Sequence, residues 1–414
     1  MNTERSRIVA FAGWSLAAAR ATASTVDLDA IAGLLAAFER TRGEPRTFTP
    51  QDETPYRRPP SEESPEDPAI GRWAAVVLEE DFEPARNALR RLIARRVVQG
   101  YALPLGPGLV GAPGLIVMRR PASSSLDRWR RSLHEATAGT LPHYLLLVGG
   151  PRRFPFEVQV TLDEVHATGR LDAGEDASGA PLWEAYRAWA DKVVRYEEGR
   201  MPVEPHALLY SFATDASTRR SHDELVRPLD AYLSGPGRQN RSRPDAPHRL
   251  FDRDATTARL CETLASSRPA LLITASHGLE CFDTPDERNS WGALTDATFV
   301  GKNGTPLDAA HVPSGPFGPG AVALSFACFS AGVPAESAHR ALVDGVLGPV
   351  PGAPFTSPLP QALLAHPEGP VAFVGHVDRR LANHSCRAVP RGGRRRSSTL
   401  CSGRSAARGR LGRR

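Results

Sequence analysis

Short apolar runs alternate with amphipathic stretches along most of the chain from Trp73 onward. Apolar runs of this length suit strands that are buried on both faces, and apolar residues recurring every three or four positions suit helices that cover a sheet. The alternation therefore predicts an α/β fold with a mostly parallel sheet. The predicted strands are Trp73–Leu78, Leu109–Val117, His143–Val148, Ala207–Ala213, Ala270–Ala275, Ala321–Phe326 and Val371–Val374. The predicted helices are Pro84–Val98, Leu126–Ala136, Trp183–Glu198, Ser221–Leu233, Thr256–Ser266, Pro334–Leu347 and Leu359–Ala365.

The first 72 residues have a different pattern. Residues 1–42 are predicted to form a helical region, and residues 43–72 a linker rich in proline and glutamate, with too few apolar side chains to offset the entropy of ordering. The apolar stretch Ile8–Ala19 follows Arg5 and Arg7, so a secretory signal peptide is the alternative. Glu4 lies where such a peptide would be basic, which favours the helix.

Charge is distributed unevenly along the 414 residues. The net charge is +5, yet the segment 379–414 holds twelve arginines and no acidic residue. Residues 1–378 therefore carry 39 Lys+Arg against 46 Asp+Glu, so the predicted folded part is acidic. Nucleic-acid binding would be limited to non-specific contacts of the tail. No run approaches the ~20 apolar residues that cross a bilayer, so no membrane association is predicted.

The arginine-rich segment 379–414 also loses all hydrophobic periodicity. We hypothesise a reading-frame shift near codon 380, which resequencing of the locus and translation of the alternative frame would test. The alternative is a natural basic, disordered tail.

Five cysteines, at positions 261, 281, 328, 386 and 401, form no CxxC pair and have no metal-ligand spacing. An odd number of cysteines without such spacing favours a reducing compartment, so a cytoplasmic protein without metal or cofactor is predicted, with secretion as the alternative.

Two predicted strands end on reactive side chains. His277 and Gly278 follow Ala270–Ala275, and Cys328 follows Ala321–Phe326, 51 residues after the histidine. The carboxyl ends of parallel strands meet at one edge of a sheet, where ligands bind. A thiol needs an imidazole to accept its proton, and the N–H groups of Gly278 and Cys328 would form an oxyanion hole. Taken singly, such a cysteine is more often inert and a His-Gly more often a turn, but their joint order and spacing favour a catalytic dyad.

These blocks, ITASHG (273–278) and LSFACFSAG (324–332), resemble the clan of cysteine peptidases that includes caspases, gingipains, separase and bacterial CHAT domains. The upstream segments LLLVGGPRRFPF (145–156), TGRLD (168–172) and YRAWADKVVRYE (186–197) resemble the first subdomain of gingipain-type peptidases. The resemblance spans about residues 141–378.

The resemblance implies a caspase-like three-layer α/β sandwich, mostly parallel with helices on both faces, in two subdomains at 73–205 and 206–378. It implies a cysteine endopeptidase with His277 and Cys328 as dyad, a polypeptide substrate and possible regulation by a protein partner. Asp163 matches an acidic position of the gingipain substrate pocket, and Asp215 is a second pocket candidate; a carboxylate there would favour cleavage after basic residues. The flanking Gln and Gly of a caspase nucleophile are replaced by Phe326 and Ser330, so a preference for Asp is not predicted. A catalytically impaired scaffold that binds protein partners is the alternative function.

Overall fold

Two five-stranded sheets form the framework of the structure. The structure is a computed structural model. It describes residues 7–15, 20–27, 67–106, 111–122, 125–137, 141–235, 246–279, 290–298, 306–337 and 352–379. Within these residues the protein is an α/β structure in which seven of the ten strand pairs are parallel, as the prediction of a mostly parallel sheet requires.

The N-terminal region contains strands where a helix was predicted. Strands β1 (Arg7–Ser15) and β2 (Arg20–Asp27) pair in an antiparallel hairpin, so the helix prediction is wrong for these residues. The second strand, RATASTVD, holds three β-branched residues, Thr22, Thr25 and Val26, a residue type that favours strands. Residues 28–66, including most of the predicted linker, lie outside the described residues.

The first five-stranded sheet has the order β4-β5-β3-β6-β7. All neighbours are parallel except β4, a two-residue edge strand antiparallel to β5. The predicted strand Leu109–Val117 is wrong as one element, because Pro113 and Gly114 turn the chain between β4 and β5; Gly114 has φ +73°. The strands are β3 (Trp73–Leu78), β4 (Gly111–Ala112), β5 (Leu115–Met118), β6 (Tyr144–Val148) and β7 (Ala167–Leu171).

The second sheet has the order β14-β11-β10-β8-β9 and is parallel throughout. A separate antiparallel pair, β12 and β13, lies beyond the end of β11. Strand β9 was not predicted. The strands are β8 (Glu204–Ser211), β9 (His248–Phe251), β10 (Pro269–Ala275), β11 (Val322–Phe326), β12 (Gly332–Val333), β13 (Phe355–Thr356) and β14 (Ala372–Val374).

Helices cover both faces of the second sheet, because its strand residues alternate between two apolar clusters. Leu209 and Ile273 pack with Leu229 on one face. Leu208 and Leu272 pack on the other, with residues of two further helices. The α-helices among the described residues are α1 (Pro68–Gly71), α2 (Phe82–Val98), α3 (Leu126–Ala136), α4 (Phe156–Leu162), α5 (Trp183–Glu197), α6 (Ala216–Ser221), α7 (Arg227–Ser234), α8 (Thr257–Ser266) and α9 (Pro358–Ala365).

Most predicted helices are confirmed to within a few residues, and α3 at both ends. Three differ. Helix α1 lies inside the predicted linker, where Asp67 caps it, and α4 was not predicted. The predicted helix Pro334–Leu347 is wrong for residues 334–337, which are not helical, and its remainder lies outside the described residues. No helix among the described residues is long and apolar enough to span a membrane.

The second sheet has a point at which the chain reverses its direction of winding. Its first strand, β8, lies between β9, which follows it in sequence, and β10, which comes next. The chain thus moves to one side of β8 and then to the other. The carboxyl ends of β8 and β10 flank this switch point, where open parallel sheets bind their ligands.

Candidate active site

The register of the central strands brings His277 and Cys328 to the same edge of the second sheet. Ala275 at the end of β10 pairs with Phe326 at the end of β11. His277 lies two residues after Ala275, and Cys328 lies two residues after Phe326. The two residues therefore follow their strands at the same height along the sheet. The pairing continues past the strand, since Ser276 N donates to Phe326 O at 3.2 Å.

Gly278 brings the two loops into direct contact. A Cβ at this glycine would lie 2.8 Å from Cys328 C and 2.9 Å from Cys328 N, and closer still to the Cys328 carbonyl oxygen. These are main-chain atoms, which cannot rotate away, so only glycine allows this approach. Within the described residues, no hydrogen bond engages the Gly278 N–H. The predicted proximity of the two motifs is thus present in the structure.

His277 is held at its backbone and at its ring. Its carbonyl accepts hydrogen bonds from Thr295 N at 3.1 Å and Thr295 Oγ1 at 3.3 Å. Its Nε2 lies 2.5 Å from Asp215 Oδ2, and both side chains are nearly half exposed. Since Nε2 is occupied by this carboxylate, Nδ1 is the ring nitrogen left to exchange a proton with a thiol.

Asp215 lies four residues past the end of β8 and caps helix α6. Its Oδ1 accepts the backbone N–H groups of Ser217 and Thr218 at 2.8 and 2.9 Å, which leaves Oδ2 for His277. Burial alone would raise the pKa of this carboxyl. The hydrogen bond to His277 and the bonds from the helix N–H groups outweigh burial and lower the pKa below its usual range. Asp215 therefore stays ionised beside the imidazole at neutral pH.

Cys328 is half-buried and is the second residue of a tight turn that begins at Ala327. Ser330 N donates to Ala327 O at 3.3 Å, and Phe329 has φ +54°, as the third position of a type II turn requires. The Phe329 ring is fully buried and meets Trp291 edge-on, with ring centres 5.0 Å apart. Ser357 Oγ donates to the Phe329 carbonyl. The residue after Cys328 is thus fixed by packing and by its main chain.

The hydrogen bond between Asp215 and His277 was not predicted from the sequence. Asp215 was predicted to be a candidate for the substrate pocket. In the structure, its Oδ1 accepts hydrogen bonds from helix α6 and its Oδ2 binds His277. The signal available in the sequence was Asp-Ala-Ser-Thr directly after an apolar strand, which is an N-cap pattern and predicts a helix beginning at Ala216.

The structure does not bring Asp163 to this site. Asp163 ends helix α4 and its Oδ1 accepts Thr168 N at 3.0 Å, at the amino end of β7. This is the edge of the first sheet opposite the strand carboxyl ends. Within the described residues, Asp163 has no contact with His277 or Cys328.

The corresponding edge of the first sheet is filled by an ion-pair network. Arg153, which follows β6, lies with its Nε 2.6 Å from Asp81 Oδ2 and its Nη1 3.2 Å from Glu175 Oε1. These carboxylates follow β3 and β7. The charges of this edge are paired with one another, and the described residues that follow its strands include no histidine or cysteine. The second sheet therefore carries the candidate site.

Comparison with known proteins identifies no relative. The chain matches no protein-family model, no curated protein and no solved structure. The carboxyl edge of the second sheet is therefore the feature of the molecule from which a function is inferred.

Proposed function

We propose that this protein is a cysteine endopeptidase with a caspase-like α/β sandwich, in which Cys328 is the nucleophile and His277 the general base. The observation that carries the proposal is the contact between the Gly278 and Cys328 main chains at the carboxyl edge of the second sheet, with Asp215, which follows β8, bound to His277 across the switch point. A histidine bound to an ionised carboxylate, in a loop packed against the main chain of a strand-end cysteine, supports the assignment of a base, its orienting group and a nucleophile.

The steps follow from these positions. His277 Nδ1 takes the thiol proton of Cys328, and the thiolate attacks the carbonyl carbon of the peptide bond. The negative charge on the carbonyl oxygen is stabilised by the N–H groups of Gly278 and Cys328, each contributing roughly 3 kcal/mol. His277 then protonates the amine, which leaves, and water hydrolyses the thioester with His277 again as base. Asp215 orients the ring and stabilises its protonated form.

The preference for a basic residue stays a prediction. Asp215 is already bound to His277 and to the N-terminus of α6, and Asp163 lies at the opposite edge of the other sheet. Neither supplies an unpaired carboxylate beside the dyad among the described residues. The choice of probe should therefore not assume a basic substrate.

Labelling by acyloxymethyl-ketone probes, one carrying Arg and one carrying Asp, tests the dyad. We expect the folded wild-type protein to be labelled at Cys328 by at least one probe. Cys328→Ala and His277→Ala should abolish labelling, because one removes the nucleophile and the other its base. Cys261→Ala, which changes the half-buried cysteine of helix α8, and His311→Ala, which changes a histidine also bound to an aspartate, should leave labelling intact.

Two results would contradict the proposal. Labelling that survives in His277→Ala would show that the thiol does not depend on this histidine. A folded wild type that neither probe labels would favour the scaffold that binds protein partners without cleaving them.

A further inference from the structure

The turn that contains Cys328 lies against a second stretch of main chain, residues 376–379, which we call the clamp segment. Phe329 N donates to Asp378 O at 3.0 Å, Ala331 N to His376 O at 2.9 Å, and Asp378 N to Gly332 O at 3.3 Å. Gly332 and Val377 also form an isolated parallel bridge. The four residues that follow the nucleophile are thus held by one segment that comes after β14.

Two strained residues meet in this pairing. Among the described residues, only Arg72, Asp252, Phe329 and Asp378 are non-glycine residues with positive φ. Two of these four, Phe329 at +54° and Asp378 at +101°, are joined by the hydrogen bond from Phe329 N to Asp378 O. Such conformations are disfavoured for residues with a Cβ and persist where the surrounding contacts impose them.

Side-chain contacts hold Asp378 in this conformation. Its Oδ1 accepts the N–H of Arg379 at 2.7 Å and the hydroxyl of Ser337 at 2.8 Å, and the residue is buried. The buried Arg379 guanidinium lies 5.5 Å from the centre of the Phe329 ring, so the clamp segment touches this residue through its main chain and through a side chain. The Asp378 carboxylate thus holds the Asp378 backbone in place, and the Asp378 carbonyl in turn holds the turn at Phe329.

We propose that Asp378 is a positioning residue of the active site: its left-handed backbone presents the carbonyl that holds the Phe329 N–H and thereby aims the thiol and N–H of Cys328. The inference rests on the proposed function for the use made of this turn. It adds that the catalytic geometry depends on a segment fifty residues after the nucleophile in sequence. Asp378 acts through Cys328 and does not touch the substrate.

Glycine and alanine substitutions separate the backbone from the side chain. Glycine adopts positive φ without strain, whereas alanine keeps the strain and loses the carboxylate that holds it. For Asp378→Ala we expect the rate constant of inactivation by the acyloxymethyl-ketone probe to fall about 100-fold, with the probe's binding constant changed by less than about twofold. Asp378→Gly should keep the rate within about threefold of wild type. Asp252→Ala, which removes a strained aspartate at the exposed end of β9, is the matched control and should keep the wild-type rate.

A second readout separates this inference from the proposed function. The rate at which iodoacetamide alkylates Cys328, followed by peptide mapping, needs no peptidase activity. Slower alkylation in Asp378→Ala, but not in Asp378→Gly or Asp252→Ala, supports the positioning role even if the wild type reacts with neither probe. Unchanged alkylation in Asp378→Ala overturns it, and so does an equal loss in the glycine variant. Should the alanine variant fail to fold, Asp378→Asn carries the test, because asparagine tolerates positive φ and should retain the rate.

Discussion

At the residue scale, the site is built from two short-range contacts with different physics. Asp215 and His277 meet through a charge-assisted hydrogen bond between half-exposed groups, which depends on pH and on the orientation of one ring. Gly278 and Cys328 meet through van der Waals contact of main-chain atoms, which depends only on space. The two contacts can be perturbed independently.

Replacing Asp215 by Asn tests the first contact. The amide keeps the size of the side chain and can still accept from the helix N–H groups, but it has no charge to stabilise a protonated His277. We expect kcat/KM, or the rate of probe labelling, to fall about 100-fold, within the range for disturbed general acid–base catalysis. The control is Asp308→Asn, since Asp308 likewise caps a helical turn and binds a histidine, His311, at 2.7 Å. Equal losses in both variants would contradict a specific role for Asp215.

The free energy of unfolding of wild type, compared with that of Asp215→Asn, should also depend on pH. Pairing lowers the pKa of Asp215 in the folded protein, so its stabilising effect is complete above the unfolded value of about 3.9 and is lost as the pH falls through the lower folded value. The free energy of unfolding of wild type should exceed that of Asp215→Asn above about pH 5, and the difference should shrink as the pH falls below the unfolded value. Because the pair is nearly half exposed, we expect a difference under about 1 kcal/mol. Urea titrations of both proteins between pH 3 and 6 measure it, and a difference that grows as the pH falls would contradict the assignment.

Gly278→Ala tests the second contact. The added Cβ would overlap the Cys328 main chain, so the two loops must separate. We expect a loss of about 1–3 kcal/mol in the free energy of unfolding, as for other overpacked sites, and loss of probe labelling. Gly315→Ala is the control, because no atom lies within 4 Å of its would-be Cβ. A Gly278→Ala protein that is as stable and as reactive as wild type would show that the loops do not touch.

At the scale of elements, helix α5 ties the first sheet to a helix of the second. Lys192 on α5 is fully buried, and its Nζ donates to the carbonyls of Leu363, Leu364 and His366 at 3.2, 2.7 and 2.7 Å. These carbonyls belong to the C-terminal end of α9, where helix geometry leaves them without partners. One ammonium group thus caps α9 from a neighbouring element.

Lys192→Met tests this link. Methionine fills similar space but donates no hydrogen bond, so up to three carbonyls lose a partner. We expect the free energy of unfolding to fall by about 2 kcal/mol or more, measured by urea titration at pH 7. Arg195→Met is the control, since Arg195 lies on the same helix and donates to Pro367 O from an exposed position. Its loss should stay within about 0.5 kcal/mol.

The lysine also provides a pH signature. Burial, with a smaller contribution from the charge of Arg195, lowers the pKa of Lys192 to about 7. Between that value and the unfolded value of about 10.4, the unfolded chain binds a proton that the folded protein does not. The stability of wild type relative to Lys192→Met should therefore rise from about pH 7 to 10. A difference that stays flat would show that the three carbonyls keep the ammonium charged.

At the scale of the whole molecule, two parallel sheets of similar construction have different strand-end chemistry. In the first, β3 lies between β5 and β6, and in the second, β8 lies between β9 and β10, so each sheet winds outward in both directions from its first strand. The strand ends of the first sheet are closed by Arg153 and its two carboxylates. Those of the second present a histidine and a cysteine on close-packed turns. Similar topology therefore supplies one structural edge and one candidate catalytic edge.

Local sequence was enough to predict the strands that carry the dyad. Ala270–Ala275 and Ala321–Phe326 are continuous apolar runs bounded by polar or small residues, and β10 and β11 lie within one residue of those limits. Such strands form because their apolar side chains are buried, and the pattern of apolar residues along the sequence shows this directly. The placement of His277 and Cys328 at one edge then follows from parallel pairing. The N-terminal hairpin was missed because its apolar residues, read as a block, suit a helix equally well.

Only the tertiary structure decided which residues meet at that edge. Asp215 reaches His277 because β8 and β10 are neighbours in a register that pairs Ser211 with Ala275, and no pattern near either residue specifies that register. Asp378 reaches Phe329 because the chain returns beside the cysteine turn after β14. These contacts join residues about fifty or sixty positions apart, and their free energy depends on distances of a few ångströms. Hydrophobic periodicity specifies which faces are buried, whereas charge pairing and main-chain contact depend on how those faces are finally packed.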